Sequence, residues 1–254
     1  MIEMKNVSGG YGKRQIISNV TAQFPKGEIT SVIGANGCGK STLLMLCAGL
    51  LPASSGKILL NGEDISTLSR NNIAKTISYL GQIKNAGNIS VRSLVSHGRF
   101  PYLGYPRRYS EADTKKINEA MELAGIEDIS ERMVSELSGG QQQRVHIAML
   151  LAQDTETVLL DEPLTYLDIS HQFELMELIC KLKSLGKTII MVMHDLNFAL
   201  IYSDKIAVME TGRITAFDTP KNIVSKNALS SALGVTATYY AEANQYFFSI
   251  KKNK

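Results

Sequence analysis

Residues 34–42 have the sequence Gly34-Ala35-Asn36-Gly37-Cys38-Gly39-Lys40-Ser41-Thr42. This is the pattern G-x-x-x-x-G-K-S, in which glycines allow backbone N–H groups to surround phosphate oxygens. The residues 28–33 before it predict a buried strand, and residues 43–46 predict a helix after it. This context predicts a nucleotide-binding loop, which we call the phosphate loop. The alternative is a glycine-rich turn with an exposed lysine.

Two side chains of the phosphate loop carry the groups that a magnesium nucleotide needs. Lys40 is expected to place a positive charge between the β- and γ-phosphates, and Ser41 to place its hydroxyl on Mg²⁺. The N-terminal end of the following helix also favours anions. The nucleotide-binding residues predicted in this loop are Gly34, Asn36, Gly37, Cys38, Gly39, Lys40, Ser41 and Thr42.

The composition of the 254-residue chain, 44% hydrophobic and 20% charged with a net charge of +3, indicates an ordinary soluble protein. Lys and Arg are scattered, so no basic stripe predicts nucleic-acid binding, and the basic residues 251–254 are expected to be solvated. Because Glu3 and Lys5 interrupt the start of the sequence, we expect no signal peptide, and the longest apolar run, residues 43–53, is too short to span a bilayer. Three cysteines without metal spacing fit a reducing compartment, so we expect a cytoplasmic protein unless a partner holds it at a membrane.

The N-terminal part of the chain predicts antiparallel strands. Residues 2–7, 15–17 and 20–24 alternate in polarity and are expected to be joined by a turn at Gly9-Gly10-Tyr11-Gly12. Tyr11 is expected to be exposed in this turn. It either covers the edge of the sheet or stacks on an adenine ring.

A helical insert is predicted in the middle of the chain. Residues 83–109 are rich in glycine and proline and are expected to lie on the surface. Ser110 and Asp113 then form a variant of the capping box at the start of a helix that Gly125 ends, and a second helix opens after Leu137.

Strands predicted at residues 56–62, 76–80, 157–160 and 188–193, alternating with helices, indicate an α/β fold whose sheet is largely parallel. The first of them is closed by an Asn61-Gly62 turn, and residues 237–252 predict a small C-terminal hairpin. Polar residues follow the strands at their carboxyl ends, where open α/β sheets bind their ligands.

The adjacent acids Asp161 and Glu162 end the strand at residues 157–160. Their side chains point in different directions, so one can hold magnesium while the other polarises a water molecule. The alternative is a pair of acids that caps the next element.

Two further strands end in candidate site residues. His194 is either a hydrogen-bonded core histidine or a γ-phosphate contact at the same sheet edge as Asp161. Gln82 either reaches magnesium or water through its amide oxygen or caps a loop. The run Ser138-Gly139-Gly140 offers a second anion site at a helix start, or a simple helix cap.

Together these residues resemble the nucleotide-binding subunit of an ABC transporter over nearly the whole chain. The phosphate loop matches the family's Walker A motif, Gln82 its Q-loop, and residues 158–162 its Walker B strand. The signature segment is Leu137-Ser138-Gly139-Gly140-Gln141, the D-loop is Leu167-Asp168, and His194 matches the switch histidine.

The resemblance implies a P-loop NTPase (RecA-like) core with an N-terminal antiparallel β-subdomain and an inserted α-helical subdomain. The implied bounds are 1–86 and 153–220 for the core, 87–152 for the helical part, and 221–254 for a C-terminal helix and hairpin. It also implies a head-to-tail homodimer that encloses two ATP molecules, with Ser138, Gly139, Gly140, Gln141 and Asp168 acting on the partner's nucleotide. Glu162 would be the general base, Ser41, Gln82 and Asp161 the Mg²⁺ neighbours, and Tyr11 the adenine-stacking ring.

Within the family, Gly98-Arg99-Phe100-Pro101 and residues 165–172 resemble the ATPases of ferric-siderophore importers, with haem and cobalamin importers close to them. Such a subunit would sit at the cytoplasmic face of the membrane, driving two membrane-embedded permease subunits and, indirectly, an extracytoplasmic binding protein. Ala35, where these ATPases commonly have proline, and Leu164, where a small polar residue is usual, depart from the pattern without removing a functional group. The alternatives are a soluble ABC-type ATPase acting on nucleic acid and an interaction module that binds ATP without hydrolysing it.

Overall fold

The computed structural model describes residues 1–81, 88–240 and 245–250, which divide into two compact units. The first unit consists of Met1–Leu68 and Thr188–Lys254, and the second of Ser69–Lys187. In chain order the strands and α-helices are β1 (Ile2–Tyr11), β2 (Arg14–Phe24), β3 (Ile29–Gly34), α1 (Lys40–Cys47), β4 (Ala53–Leu60), β5 (Glu63–Asp64), α2 (Arg70–Thr76), β6 (Ile77–Leu80), α3 (Val91–Ser96), α4 (Glu111–Ala124), α5 (Gly139–Gln153), β7 (Thr157–Asp161), α6 (Ile169–Ser184), β8 (Thr188–Val192), α7 (Leu196–Tyr202), β9 (Lys205–Glu210), β10 (Arg213–Asp218), α8 (Pro220–Ser225), α9 (Leu229–Leu233), β11 (Val235–Tyr240) and β12 (Gln245–Ile250).

The first unit contains two sheets and a hairpin. One sheet has the antiparallel order β2-β1-β4-β5. In the other, β10-β9-β3-β8 lie side by side, with β3 parallel to both β8 and β9. All six residues of β3 and all five of β8 are buried, as expected for central strands of a parallel sheet. The predicted C-terminal hairpin is confirmed by the antiparallel pairing of β11 with β12.

The predicted antiparallel pairing is confirmed, but the turn lies at Gly12-Lys13 rather than at residues 9–12. Strand β1 continues to Tyr11, and β2 runs unbroken from Arg14 to Phe24. A Cβ on Gly10 would lie 2.1 Å from the carbonyl oxygen of Arg14, so this glycine permits close approach of the two strands rather than a turn. The apparent gap between residues 17 and 20 is a bulge at Asn19, whose φ is 53° and where the register shifts.

The second unit is mainly helical, with the short parallel pair β6 and β7. Its apolar core includes Val91 of α3, Met121 of α4 and Val145 of α5. The predicted helix after Ser110 is confirmed, with a complete capping box between Ser110 and Asp113 and a left-handed Gly125 at its end.

The prediction that residues 83–109 lie on the surface is wrong for part of the described range, residues 88–109. Val91 and Val95 are fully buried, and Arg99 is only 8% exposed. A Cβ on Gly98 would lie 2.2 Å from the carbonyl oxygen of Met149, so this glycine allows the segment to pack against the backbone of α5. Only residues 104–109 are exposed throughout, as expected.

None of the helices in the described ranges is long and apolar enough to cross a membrane. The three cysteines, Cys38, Cys47 and Cys180, are free thiols. The division of the chain at residues 1–86, 87–152, 153–220 and 221–254 stays a prediction.

Candidate functional site

The phosphate loop connects β3 to α1 in the first unit, as predicted. Gly39 is the N-cap residue of α1 and has a φ of 107°, a conformation that residues with a Cβ rarely adopt. A Cβ at this position would also lie 2.9 Å from Cδ1 of Ile17. Glycine at this position therefore suits both the backbone conformation and the close contact with Ile17, and the start of α1 that it caps favours a bound phosphate.

Lys40 lies inside the phosphate loop and is only 5% exposed. Its ammonium group donates hydrogen bonds to the carbonyl oxygens of Gly34 at 2.9 Å and Ala35 at 3.1 Å. The loop therefore holds a buried positive charge at its centre. The alternative interpretation, a turn with an exposed lysine, is wrong.

The remaining loop residues differ in exposure. Asn36 and Gly37 are exposed, Cys38 and Thr42 are buried, and Ser41 at the first turn of α1 is half-buried. Burial raises the pKa of the Cys38 thiol, against the opposing influence of Lys40. Cys38 is therefore a neutral packing residue of the loop, and its thiol supplies no charge to the site.

Tyr11 is the last residue of β1 and is 48% exposed. Its hydroxyl donates to the sulfur of Met45 in α1 at 3.1 Å. The ring therefore lies beside the helix that the phosphate loop begins, with one side accessible. This placement is compatible with covering the sheet edge and with stacking on adenine, and the adenine contact stays a prediction.

His194 lies at the same sheet edge as the phosphate loop. Strands β3 and β8 are parallel, with Val32 opposite Val192, and the Met193 N–H donates to the Val32 carbonyl at 3.1 Å. His194 follows directly and is exposed. The core-histidine alternative is therefore wrong, and the first unit brings the predicted switch histidine and the loop to one edge.

In the second unit, β7 ends at Asp161, which is 5% exposed, and the half-buried Glu162 follows. The hydroxyl of Tyr79 donates to Asp161 Oδ2 at 3.4 Å, and that of Thr165 donates to Glu162 Oε2 at 3.4 Å. The two acids thus occupy different environments, as predicted. The alternative that they cap the next helix is wrong, because Asp168 is the N-cap residue of α6.

Glu162 has a φ of 55°, in the left-handed region that non-glycine residues adopt at a cost of about 1 kcal/mol or more. This conformation turns the chain directly after the buried Asp161. Gln82, which would follow β6 on the neighbouring strand, lies outside the described residues.

The signature segment forms the N-terminus of α5. Ser138 Oγ accepts from the Gln141 N–H at 3.3 Å, and Gln141 Oε1 accepts from the Ser138 N–H at 3.1 Å. The helix-cap interpretation is therefore confirmed, but a serine hydroxyl that accepts from the backbone still has its own proton to donate. Ser138 and Gly139 are exposed, and binding of a second subunit's nucleotide by this segment stays a prediction.

Asp168 of the D-loop caps α6 in the same way. It accepts from the His171 N–H at 3.0 Å, from Ser170 Oγ at 2.8 Å and from His171 Nδ1 at 2.7 Å. The His171 N–H and these side chains lower the pKa of Asp168 to about 2, so the carboxylate is ionised at neutral pH. His171 was not among the predicted site residues, although its place three residues after a capping aspartate could have indicated the contact.

Each unit separately carries groups that suit part of a magnesium nucleotide. A buried ammonium and glycine amides suit phosphate, while the Ser41 hydroxyl and the Asp161 carboxylate are the hard oxygen ligands that Mg²⁺ prefers.

Known proteins with similar sequences share this organisation. A family model described as ABC transporter matches residues 17–165 of the chain. The achromobactin transport ATP-binding protein CbrD of Dickeya dadantii (strain 3937) is 45% identical over 227 residues, covering 89% of this chain and 84% of that protein. The iron(3+)-hydroxamate import ATP-binding protein FhuC of Bacillus subtilis (strain 168) is 41% identical over 230 residues, covering 90% and 86%.

The fold is also found among solved structures. The dimeric structure of MJ0796, a bacterial ABC transporter cassette, has a TM-score of 0.74 and 28% identity, covering 87% of this chain and 99% of that one. The predicted fold class is confirmed by this likeness.

Proposed function

The chain belongs to the ABC transporter family, and we propose that it is the ATP-hydrolysing subunit of an importer for iron–siderophore-type chelates. The observation that carries this proposal is the buried Lys40 within the phosphate loop, at the sheet edge that also presents His194. The similar proteins named for achromobactin transport and iron(3+)-hydroxamate import support the substrate class.

ATP binding is assigned mainly to the first unit. The phosphate loop would surround the β- and γ-phosphates, with the Lys40 ammonium against their charge and the Tyr11 ring against adenine. Oxygen atoms of Ser41, Asp161 and Gln82 would hold Mg²⁺, which would neutralise the negative charge that develops on the phosphates.

Hydrolysis is assigned to two residues that follow strands. Glu162 would accept a proton from the attacking water, and its left-handed backbone sets the direction of the side chain after the buried Asp161. His194, exposed at the end of β8, would donate to the γ-phosphate.

Two copies of the chain would form each complete site. We assign Ser138, Gly139, Gly140, Gln141 and Asp168 to the nucleotide of the second copy. Large apolar side chains around the D-loop support a protein contact there: Tyr166 is 98%, Ile169 63% and Phe173 48% exposed. The similar MJ0796 cassette is described as dimeric.

Membrane partners would contact residues 82–109. In the described part of this range, Tyr105 is fully exposed, Phe100 and Tyr109 are partly exposed, and the Arg107 guanidinium lies 4.9 Å from the Phe100 ring centre. Aromatic and arginine side chains together are typical of protein interfaces. The partners would be two membrane-embedded permease subunits, with an extracytoplasmic binding protein reached through them, and the subunit would lie at the cytoplasmic face.

The experiment that tests the catalytic assignment is Glu162→Gln. Glutamine keeps the shape of the side chain but cannot accept the proton, so phosphate release should fall about 100-fold or more while ATP affinity is retained. Glu177→Gln, an exposed acid of α6, is the control and should hydrolyse like the wild type. Normal turnover by Glu162→Gln would overturn the general-base role.

The substrate class is tested with the subunit purified in complex with its permease and binding protein. Ferric siderophores added to the binding protein should stimulate ATP hydrolysis. Stimulation by haem or cobalamin instead would overturn the substrate class and leave the ATPase assignment intact.

A further inference from the structure

The residues that follow Asp168 of the D-loop, Ile169-Ser170-His171-Gln172, have no role in the proposed chemistry. His171 holds the side chain of Asp168 from two directions, through its backbone N–H at 3.0 Å and its ring Nδ1 at 2.7 Å. Because the ionised carboxylate can only accept, Nδ1 must carry the proton. The ring therefore has a defined orientation, with Nδ1 toward Asp168.

The same ring also lies against the signature segment. A Cβ on Gly140 would lie 2.6 Å from Cδ2 of His171 and 2.9 Å from its Cγ. No side chain larger than a hydrogen atom fits between the first turn of α5 and this ring. One turn further along, Arg144 of α5 and Glu174 of α6 form an ion pair. The N-terminal turns of the two helices are therefore in contact at two places, Gly140 with His171 and Arg144 with Glu174.

The N-termini of α5 and α6 are also capped in the same way. Ser138 and Asp168 are N-caps that accept from the backbone N–H three residues later, that of Gln141 or His171. In α5 the side chain at this third position, Gln141, returns to its own cap. In α6 the side chain at this position is that of His171. Its ring hydrogen-bonds to the cap residue Asp168 and also lies against Gly140 of α5.

We propose that His171 is a positioning residue that joins Asp168 to the signature segment, so that both are presented to the second subunit's nucleotide site as one rigid surface. This inference rests on the proposed function, in which these two segments act on the second copy. His171 would touch no nucleotide itself. It would instead fix the positions of Asp168 and the signature segment, which would contact the nucleotide. Misplacing such a contact by about 1 Å can lower the rate of the reaction by about two orders of magnitude.

The test compares three replacements of His171 in the Glu162→Gln background. Asparagine places an amide N–H close to the position of Nδ1, glutamine places it close to Nε2, and alanine removes both. ATP-dependent dimerisation is measured by analytical ultracentrifugation. We expect alanine and glutamine to weaken the dimer about tenfold or more, because Asp168 is then no longer fixed relative to the signature segment, and asparagine to stay within about threefold of the parent.

Two further measurements separate positioning from a general loss of structure. Affinity of the isolated subunit for a fluorescent ATP analogue and its thermal unfolding temperature should stay close to those of the parent in all three variants. Ser170→Ala removes the other side-chain donor to Asp168 without touching Gly140, and should weaken the dimer less than His171→Ala.

The outcomes distinguish this inference from the proposed function. If the Glu162→Gln parent does not dimerise with ATP, the proposed function fails and this inference with it. If the parent dimerises and the alanine, glutamine and asparagine variants are equal to it or equally weakened, the inference alone is overturned. A loss of single-subunit nucleotide affinity or thermal stability that parallels the loss of dimer would also overturn it.

Discussion

Arg99 and Asp113 form a buried ion pair, with Arg99 Nε 2.9 Å from Asp113 Oδ1 and each residue less than a tenth exposed. Arg99 also donates to the carbonyl oxygen of Ala152 at 2.8 Å. The Ser110 hydroxyl, together with Arg99, holds the pKa of Asp113 below its usual value. One guanidinium thus ties residues 97–102 to the helices α4 and α5.

Replacing Arg99 should therefore destabilise the second unit. We expect Arg99→Met to lower the free energy of unfolding by about 3–5 kcal/mol, because it leaves a buried carboxylate without its cation. Chemical denaturation monitored by circular dichroism measures the change. The exposed Arg108→Ala serves as control, with an expected change below about 0.5 kcal/mol. Equal stability of both variants would show that the pair contributes nothing.

Gly140 and His171 should be energetically coupled in the isolated subunit. Gly140→Ala forces a Cβ into the imidazole and should cost about 1–3 kcal/mol of stability. In a His171→Ala background the same substitution should cost less than about 0.5 kcal/mol, because the ring is absent. A double-mutant cycle from urea unfolding measures the coupling. Equal costs in both backgrounds would mean that the ring moves aside freely.

His146 should make stability depend on pH. It is buried in α5, its Nε2 has no hydrogen-bond partner among the described residues, and burial lowers its pKa. The unfolded chain takes up a proton near the ordinary pKa of about 6.5, whereas the folded chain takes it up only at lower pH. The stability that neutral His146 contributes is complete above this pH and is lost as the pH falls toward the lowered value.

His146→Met isolates this contribution, because methionine fills a similar volume and does not titrate. We expect the loss of stability between about pH 7.5 and 5.5 to be smaller in the variant than in the wild type. Thermal unfolding across this range supplies the comparison. Parallel pH profiles would indicate that His146 is protonated equally in the folded and unfolded chain.

Tyr11 offers a direct choice between its two interpretations. If the ring stacks on adenine, Tyr11→Phe should bind ATP within about twofold of the wild type, and Tyr11→Ala about tenfold more weakly. If the ring only covers the sheet edge, Tyr11→Ala should lower thermal stability and leave affinity unchanged. Equilibrium titration with a fluorescent ATP analogue, paired with thermal unfolding, separates the two.

The elements that the sequence predicted well are those specified by neighbouring residues. Ser110, Asp113 and Gly125 determine the ends of α4 through hydrogen bonds and backbone angles within a few residues, so their pattern was sufficient. The apolar runs of β7 and β8 were likewise sufficient to predict two buried strands, with Asp161 at the end of the first and His194 shortly after the second.

The errors arose where a distant part of the chain decides the conformation. Gly10 indicated a turn and Gly98 a surface segment, but each lacks a side chain because another backbone approaches it, that of Arg14 or Met149. The contact of His171 with Gly140 was not predicted for the same reason, because it exists only after α5 and α6 pack together. Glycine in a sequence does not reveal whether it serves a turn or a close approach.

The two-part composition of the first unit has a consequence for biosynthesis. Strand β3, which leads into the phosphate loop, has its parallel partners in β8 and β9, whereas Ser69–Lys187 is one continuous stretch. At translation rates of about 5–20 residues per second, β3 leaves the ribosome several seconds or more before those partners exist. The second unit can therefore fold first, and the nucleotide loop takes its final shape only after β8 and β9 have been synthesised.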